Sequence, residues 1–217
     1  MREKTVAIIG QGYVGLPLAM AAVDAGWSVI GIEKSVSRVD QLNSGSSPVE
    51  DISDIRLAKA LSEKKYVASN NPSDVSTASV ITICVPTPLN AQREPDLGLL
   101  ESATRDVAPF LAQGSLLVSE STSYPGTLRE VIIPIVESLK PKESVDVYFA
   151  SAPERVDPGN KAWNQKNTPR LVGAINEESK IRNGVYQSDK ISENPGIKKD
   201  SKKLQYRVYF ILLINTI

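Results

Sequence analysis

Val6-Ala-Ile-Ile-Gly10-Gln-Gly12-Tyr-Val-Gly15-Leu-Pro-Leu-Ala19 is the stretch whose reading decides the fold. It reads as a buried strand, a glycine turn and the first turns of a helix. Gly10 permits a tight strand-to-helix turn, Gly12 leaves the backbone open to a pyrophosphate, and Gly15 lets the helix pack close to the sheet. The helix N-terminus then directs its N–H groups at the phosphates. The spacing alone is weak, but its surroundings support it. The apolar run Thr5 to Ile9 precedes it, and an Ala/Leu-rich helix to about Ala25 follows. A second strand, Ser28 to Ile32, ends at the acidic Glu33. The whole predicts a dinucleotide-binding βαβ unit. A carboxylate at Glu33 accepts hydrogen bonds from ribose hydroxyls and repels a 2′-phosphate, which favours NAD over NADP. Lys34 and Arg38 moderate that preference, because they could host a phosphate.

The 217 residues suffice for one α/β domain and a fragment more. Formal net charge is zero, which argues against nucleic acid as partner. A single cysteine excludes an internal disulfide and points to a reducing, cytoplasmic compartment. The chain has no histidine, so the commonest general base and metal ligand is missing, and no metal site is expected. No targeting segment is read at the N-terminus. The longest later apolar run, 208–214, is far too short for a membrane span.

Downstream, Ser35 can cap a short helix reaching Leu42, and Asp54 to Lys64 carries Ile55, Ala58 and Leu61 at helical spacing. Val67 to Ser69 is a short strand. Val80 to Val85 is a strand buried on both faces, with Cys84 as a small core residue inside it. It opens into Pro86-Thr87-Pro88. A helix from about Leu97 to Leu111 leads to the strand Ser115 to Ser119 and the loop Glu120-Ser-Thr122. A helix from Leu128 to Leu139 and a strand from Val145 to Ala150 follow, opening into Glu154-Arg-Val-Asp157. Glu154 and Asp157 are either an acid/base pair or a solvated loop. This alternation predicts an α/β fold: a doubly wound, mostly parallel sheet with helices on both faces. The strand ends deliver the candidate cofactor-binding residues Gly10, Gln11, Gly12, Tyr13, Val14, Gly15, Glu33, Lys34, Arg38, Val85, Pro86, Thr87, Ser121 and Thr122 to one edge.

These residues resemble the UDP-glucose/GDP-mannose dehydrogenase family, most of all its UDP-N-acetylhexosamine 6-dehydrogenase branch. The likeness rests on Gly10 to Ala19, Cys84 to Leu89, Arg93 to Leu97, Glu120 to Thr127, Pro153 to Asn160 and Asn167 to Gly173, in that order. Ala152 departs from the serine expected before Pro153-Glu154. The resemblance implies a Rossmann-like domain and two NAD-dependent oxidations at C6 of a UDP-sugar, serving polysaccharide precursor synthesis. The alcohol becomes an aldehyde captured by a cysteine thiolate, and the resulting thioester is hydrolysed to a uronate. Carried over by motif, Thr122 helps orient the water and cofactor side of the site, and Glu154 is the acid/base carboxylate.

The motifs end near Gly173 to Ser179. Seventeen alanines lie at or before Ala174 and none after it, and from Ser179 onward eight Lys/Arg face three acids. We therefore divide the chain into an NAD-binding domain, 1–178, and an atypical basic tail, 179–217, expected to be poorly ordered. The tail reads as a truncated or out-of-frame end, a divergent element pairing as an edge strand or helix, or a membrane-surface segment. The family's nucleophile-bearing second half and dimerising helix are not recognisable here, so the chain alone is expected to be inactive. The alternative is an NAD-binding module without chemistry.

Overall fold

The computed structural model describes residues 4–140, 146–153, 171–191 and 209–212. Three short segments of apolar, mostly β-branched residues form its centre: β1 (Thr5–Ile9), β2 (Ser28–Ile32) and β4 (Val80–Ile83). Outside β2, at the edge of the sheet, lies β3 (Tyr66–Ser69). On the other side come β5 (Leu116–Ser119), β6 (Tyr148–Ser151), β7 (Leu171–Ala174) and β8 (Tyr209–Leu212). The strand order is β3-β2-β1-β4-β5-β6-β7-β8. All neighbours are parallel except β6 and β7. The chain winds outward from β1 to β3, then crosses back to start again at β4. The ends of β1 and β4 thus diverge into a crevice, the position where doubly wound sheets take ligands.

Alternation along each strand feeds two cores. On one face Val6, Ile8 and Val29 meet Leu16 and Met20 of α1 (Gly15–Asp24), with Leu57 of α3 (Asp54–Ser62) in the same cluster. On the other, Ala7, Ile9 and Ile81 meet Leu100 and Val107 of α4 (Gly98–Val107), with Val136 of α5 (Ile133–Leu139). Both faces are covered, which is why the central strands read as continuous apolar runs. Ser35 caps α2 (Val36–Asn43), accepting from the Arg38 N–H at 3.4 Å.

Three details differ from the sequence reading. In α3 the buried residues are Leu57 and Ala60, whereas Ile55 is 84% exposed and Ala58 is exposed. Leu61 of the expected stripe is half-buried against the same core, so packing against α1, tied by the Arg56–Asp24 ion pair, centres the buried face on Leu57, Ala60 and Leu61. The helix expected over Leu128 to Leu139 opens with a π-turn, Leu128–Ile132, before α5. Pro134 has no N–H to give the Glu130 carbonyl, and a widened turn absorbs the loss. β4 ends at Ile83, so Cys84 stands just past the strand rather than inside it.

α6 (Glu177–Ile191) runs straight through the boundary expected at 178/179. Its Tyr186 is fully buried, meets Trp27 edge to face at 5.3 Å and hydrogen-bonds the Thr82 hydroxyl at 3.0 Å. Ser179 accepts from the Phe149 N–H through its hydroxyl at 3.2 Å. Tyr186→Phe leaves the Thr82 hydroxyl without this partner. It should lower stability by about 1 kcal/mol in urea unfolding, and an unchanged midpoint would show that α6 is not part of the cooperative unit.

Candidate cofactor site

The glycine turn follows directly from β1. Gly10 has φ +90°, and a Cβ on it would fall 2.6 Å from the Cys84 carbonyl oxygen. A Cβ on Gly15 would fall 1.8 Å from the Gly10 carbonyl oxygen, so α1 can begin this close to the sheet only with glycine there. Gly12 is different, because a Cβ there meets nothing within 4 Å. The turn is tight at both ends and open in the middle. Val14, at the N-cap of α1, supplies no side-chain hydrogen bond to the helix end.

At the end of β2 Glu33 is already engaged. Its Oε1 accepts from the Ser35 N–H at 3.0 Å, and its Oε2 accepts from the Gln11 N–H at 3.2 Å. The Arg38 guanidinium stands 3.7 Å from Oε2. The carboxylate is thereby fixed at the crevice mouth, with a cation beside it. At the ends of β4 and β5 the two loops are stitched together. The Ser121 hydroxyl donates to the Val85 carbonyl at 2.8 Å and accepts from the Val85 N–H at 3.0 Å. Thr87 donates to the Thr122 carbonyl at 2.6 Å.

Together these elements enclose a cleft of about 650 Å³. Every candidate cofactor residue lines it except Gly15, which lies under the turn. The family-implied cofactor fits this arrangement: an open glycine at the centre of the turn, an uncapped helix N-terminus behind it and a fixed carboxylate at the β2 end. Of the two residues assigned to chemistry, Thr122 lines the cleft. Glu154 and Asp157 lie outside the described residues, although β6, parallel to β5, carries the chain to the same edge at Ser151.

Comparison with known proteins agrees with this geometry. Residues 4–188 match the sequence model of the UDP-glucose/GDP-mannose dehydrogenase family, NAD binding domain. The chain belongs to this family. The match continues beyond Gly173 to Ser179, where the motifs had been expected to end. The UDP-N-acetyl-D-mannosamine dehydrogenase of Pyrococcus horikoshii is 36% identical over 186 residues, covering 84% of this chain and 44% of that protein. The UDP-N-acetyl-D-glucosamine 6-dehydrogenase of Pseudomonas aeruginosa is 30% identical over 191 residues, covering 86% of this chain and 44% of that one. A solved structure of the Pyrococcus horikoshii UDP-D-ManNAc dehydrogenase superposes with a TM-score of 0.78 at 29% identity, over 96% of this chain and 46% of that chain. This chain is the NAD-binding domain of the family, and it spans about half the length of the relatives it matches.

Several cleft residues of this NAD-binding domain escaped the sequence reading. Leu99, Ser102, Ala103 and Asp106 form one stripe of α4 facing the cleft, and their helical spacing was visible in the sequence. Glu120, buried at the end of β5, and Cys84 also line it. Gln11 was assigned to the cofactor, but its side chain is fully buried and turned inward. Its Nε2 donates to the Ile8 carbonyl at 2.8 Å, and its Oε1 accepts from the Tyr66 hydroxyl at 2.9 Å. Burial first, and the Glu33 carboxylate second, push the Tyr66 pKa up, so its hydroxyl remains a donor. Among the described residues no helix is long and apolar enough to cross a membrane, and no cluster of His, Cys, Asp and Glu could hold a metal ion.

Proposed function

We propose that this chain supplies the cofactor half of an NAD-dependent 6-dehydrogenase acting on a UDP-N-acetylhexosamine, in cytoplasmic synthesis of polysaccharide precursors. The carrying observation is the cleft itself, with Glu33 held at one end and Thr122 lining the wall formed by the β5 loop. The UDP-N-acetylhexosamine assignment draws on the relatives named above. The cleft would hold NAD, whose nicotinamide would supply the hydride acceptor for the oxidation. The protein's own part is to bind and orient. Gly12 admits the phosphates to the backbone, Glu33 takes the adenosine ribose, and Ser121 holds the Val85 backbone in place on the cleft wall. Thr122 orients water, and Glu154 handles the proton during hydrolysis. In a chain without histidine, proton transfer must use a carboxylate, a lysine or ordered water. The family resemblance implies homo-oligomers, and association with a separate partner half fits the same reading.

The discriminating experiment is isothermal titration with NAD and NADP. NAD should bind more tightly, and equal or tighter NADP binding would overturn the assignment of Glu33. Glu33→Ala should weaken NAD by about 1.5–3 kcal/mol, the range for losing a charged hydrogen-bonding group, and narrow the preference. The second reading, an NAD-binding module without chemistry, predicts the same titration. It differs in showing no turnover even when a complementing C-terminal half is supplied.

A further inference from the structure

Tyr66 and Gln11 come from distant parts of the chain and meet under the glycine turn. Tyr66 opens β3, the strand on the far side of β2 from β1. Its ring must therefore cross β2 to reach Gln11, and it does so over Gly31. A Cβ on Gly31 would stand 2.6 Å from the Tyr66 hydroxyl and 2.7 Å from the Gln11 amide carbon. A glycine in the middle of a buried strand usually marks a close approach of this kind. The crossing places the hydroxyl 2.9 Å from Gln11 Oε1. The other end of the same amide donates to the Ile8 carbonyl and, at 3.3 Å, to the Gly10 carbonyl. With its side chain pinned at both ends, Gln11 presents its own backbone N–H to Glu33 Oε2.

We propose that Gln11, Gly31 and Tyr66 form a buried brace that positions the glycine turn and, through the Gln11 N–H, the Glu33 carboxylate that discriminates NAD from NADP. The side chains of Gln11 and Tyr66 act as positioning groups: both are buried, and the amide of Gln11 is spent inside the protein, although the Gln11 backbone borders the cleft. Without the Tyr66 hydroxyl, Gln11 Oε1 is left buried and unpaired. The amide then gains by turning outward, and its backbone N–H leaves Glu33. A loosened carboxylate binds the ribose hydroxyls less well and repels a 2′-phosphate less strongly. Both changes shrink the difference between the two cofactors.

The inference rests on the NAD reading above, and titration of the wild-type chain with NAD and NADP, beside Tyr66→Phe, Gln11→Met and the double variant, separates the two. Tyr66→Phe should weaken NAD by about three- to tenfold, the worth of one buried hydrogen bond, and NADP by less, so the preference ratio falls. Gln11→Met should do the same. The double variant should be no worse than Gln11→Met alone, because it removes both partners of the Tyr66–Gln11 bond together and leaves no buried hydroxyl facing the methionine. If a single variant does not fold, the double variant still decides, since it must fold and bind with a reduced ratio. Variants that lower the melting temperature while the NAD:NADP ratio holds at its wild-type value would make the contact merely structural and overturn the brace. So would additive losses in the double variant. A wild-type chain that binds neither dinucleotide overturns the cofactor assignment itself, and the brace's role with it.

Discussion

Gly15→Ala is expected to cost about 3 kcal/mol of folding stability, the upper part of the range for forcing a carbon into a packed site, and to remove measurable NAD binding. The added methyl would lie 1.8 Å from the Gly10 carbonyl oxygen, which is backbone and cannot swing aside. Relief requires α1 to lift from the sheet or the turn to unwind. Either movement pulls Leu16 and Ala19 from the core and displaces the helix N-terminus from the phosphate position. Gly12→Ala is the matched control. Its Cβ meets nothing within 4 Å, so the protein should unfold at nearly the wild-type temperature while NAD binding weakens. Thermal melts with and without NAD check both. A Gly15→Ala protein that melts normally and binds NAD would show that the close helix–sheet approach is not required.

The second large effect is an absence. The 217-residue chain by itself is expected to release no uronate from UDP-N-acetylglucosamine, UDP-N-acetylmannosamine or UDP-glucose in the presence of NAD. The proposed reaction needs a thiol that a sugar C6 can reach. Cys84 is the sole cysteine of the chain. It is buried at the root of the glycine turn, flanked by Ile83 and Val85, with its carbonyl against Gly10. Although it borders the cleft, only 8% of its surface is exposed and it packs in the α1-side core, which leaves a sugar C6 little access to its thiol. The assay follows NADH absorbance and uronate together. Sustained uronate formation that survives Cys84→Ser would sink both the proposed mechanism and the role given to this chain.

Much of this was legible in the sequence, for a local reason. β1 and β2 lie at the residues expected, Thr5–Ile9 and Ser28–Ile32, because apolar runs bounded by glycine and charge leave little choice of register. The glycine turn was readable because each glycine answers a steric demand within a few residues. The brace was not readable that way. Gln11, Gly31 and Tyr66 sit on separate strands or loops, and only the mid-strand glycine hinted at a crossing. The α3 face was misplaced by part of a turn because Ile55 and Ala58 match helical spacing with Leu61 about as well as Leu57 and Ala60 do, and tertiary packing chose between them. Cys84 illustrates strand ends: β4 stops two residues before the expected Val85, and Cys84 keeps its place in the core while also bordering the cleft.

The pairing of Trp27 with Tyr186 has a consequence for how the molecule comes to be folded. The buried residues of the α4 face run from Ala7 to Phe149, and among the described residues only the half-buried Ile175 joins them from beyond β6, so nearly all of it can close while that part of the chain is still being made. The α1 face cannot, because Val172, Ala174 and Tyr186 belong to its cluster alongside Trp27 and Val29. On a ribosome, which delivers the N-terminus first, one side of the sheet is sealed early while the other waits with apolar side chains uncovered. In refolding from denaturant the same contacts bridge the longest stretches of chain, and closure across such separations is slow. The late-arriving helix therefore sets both the period of greatest aggregation risk and the final step to the native sheet.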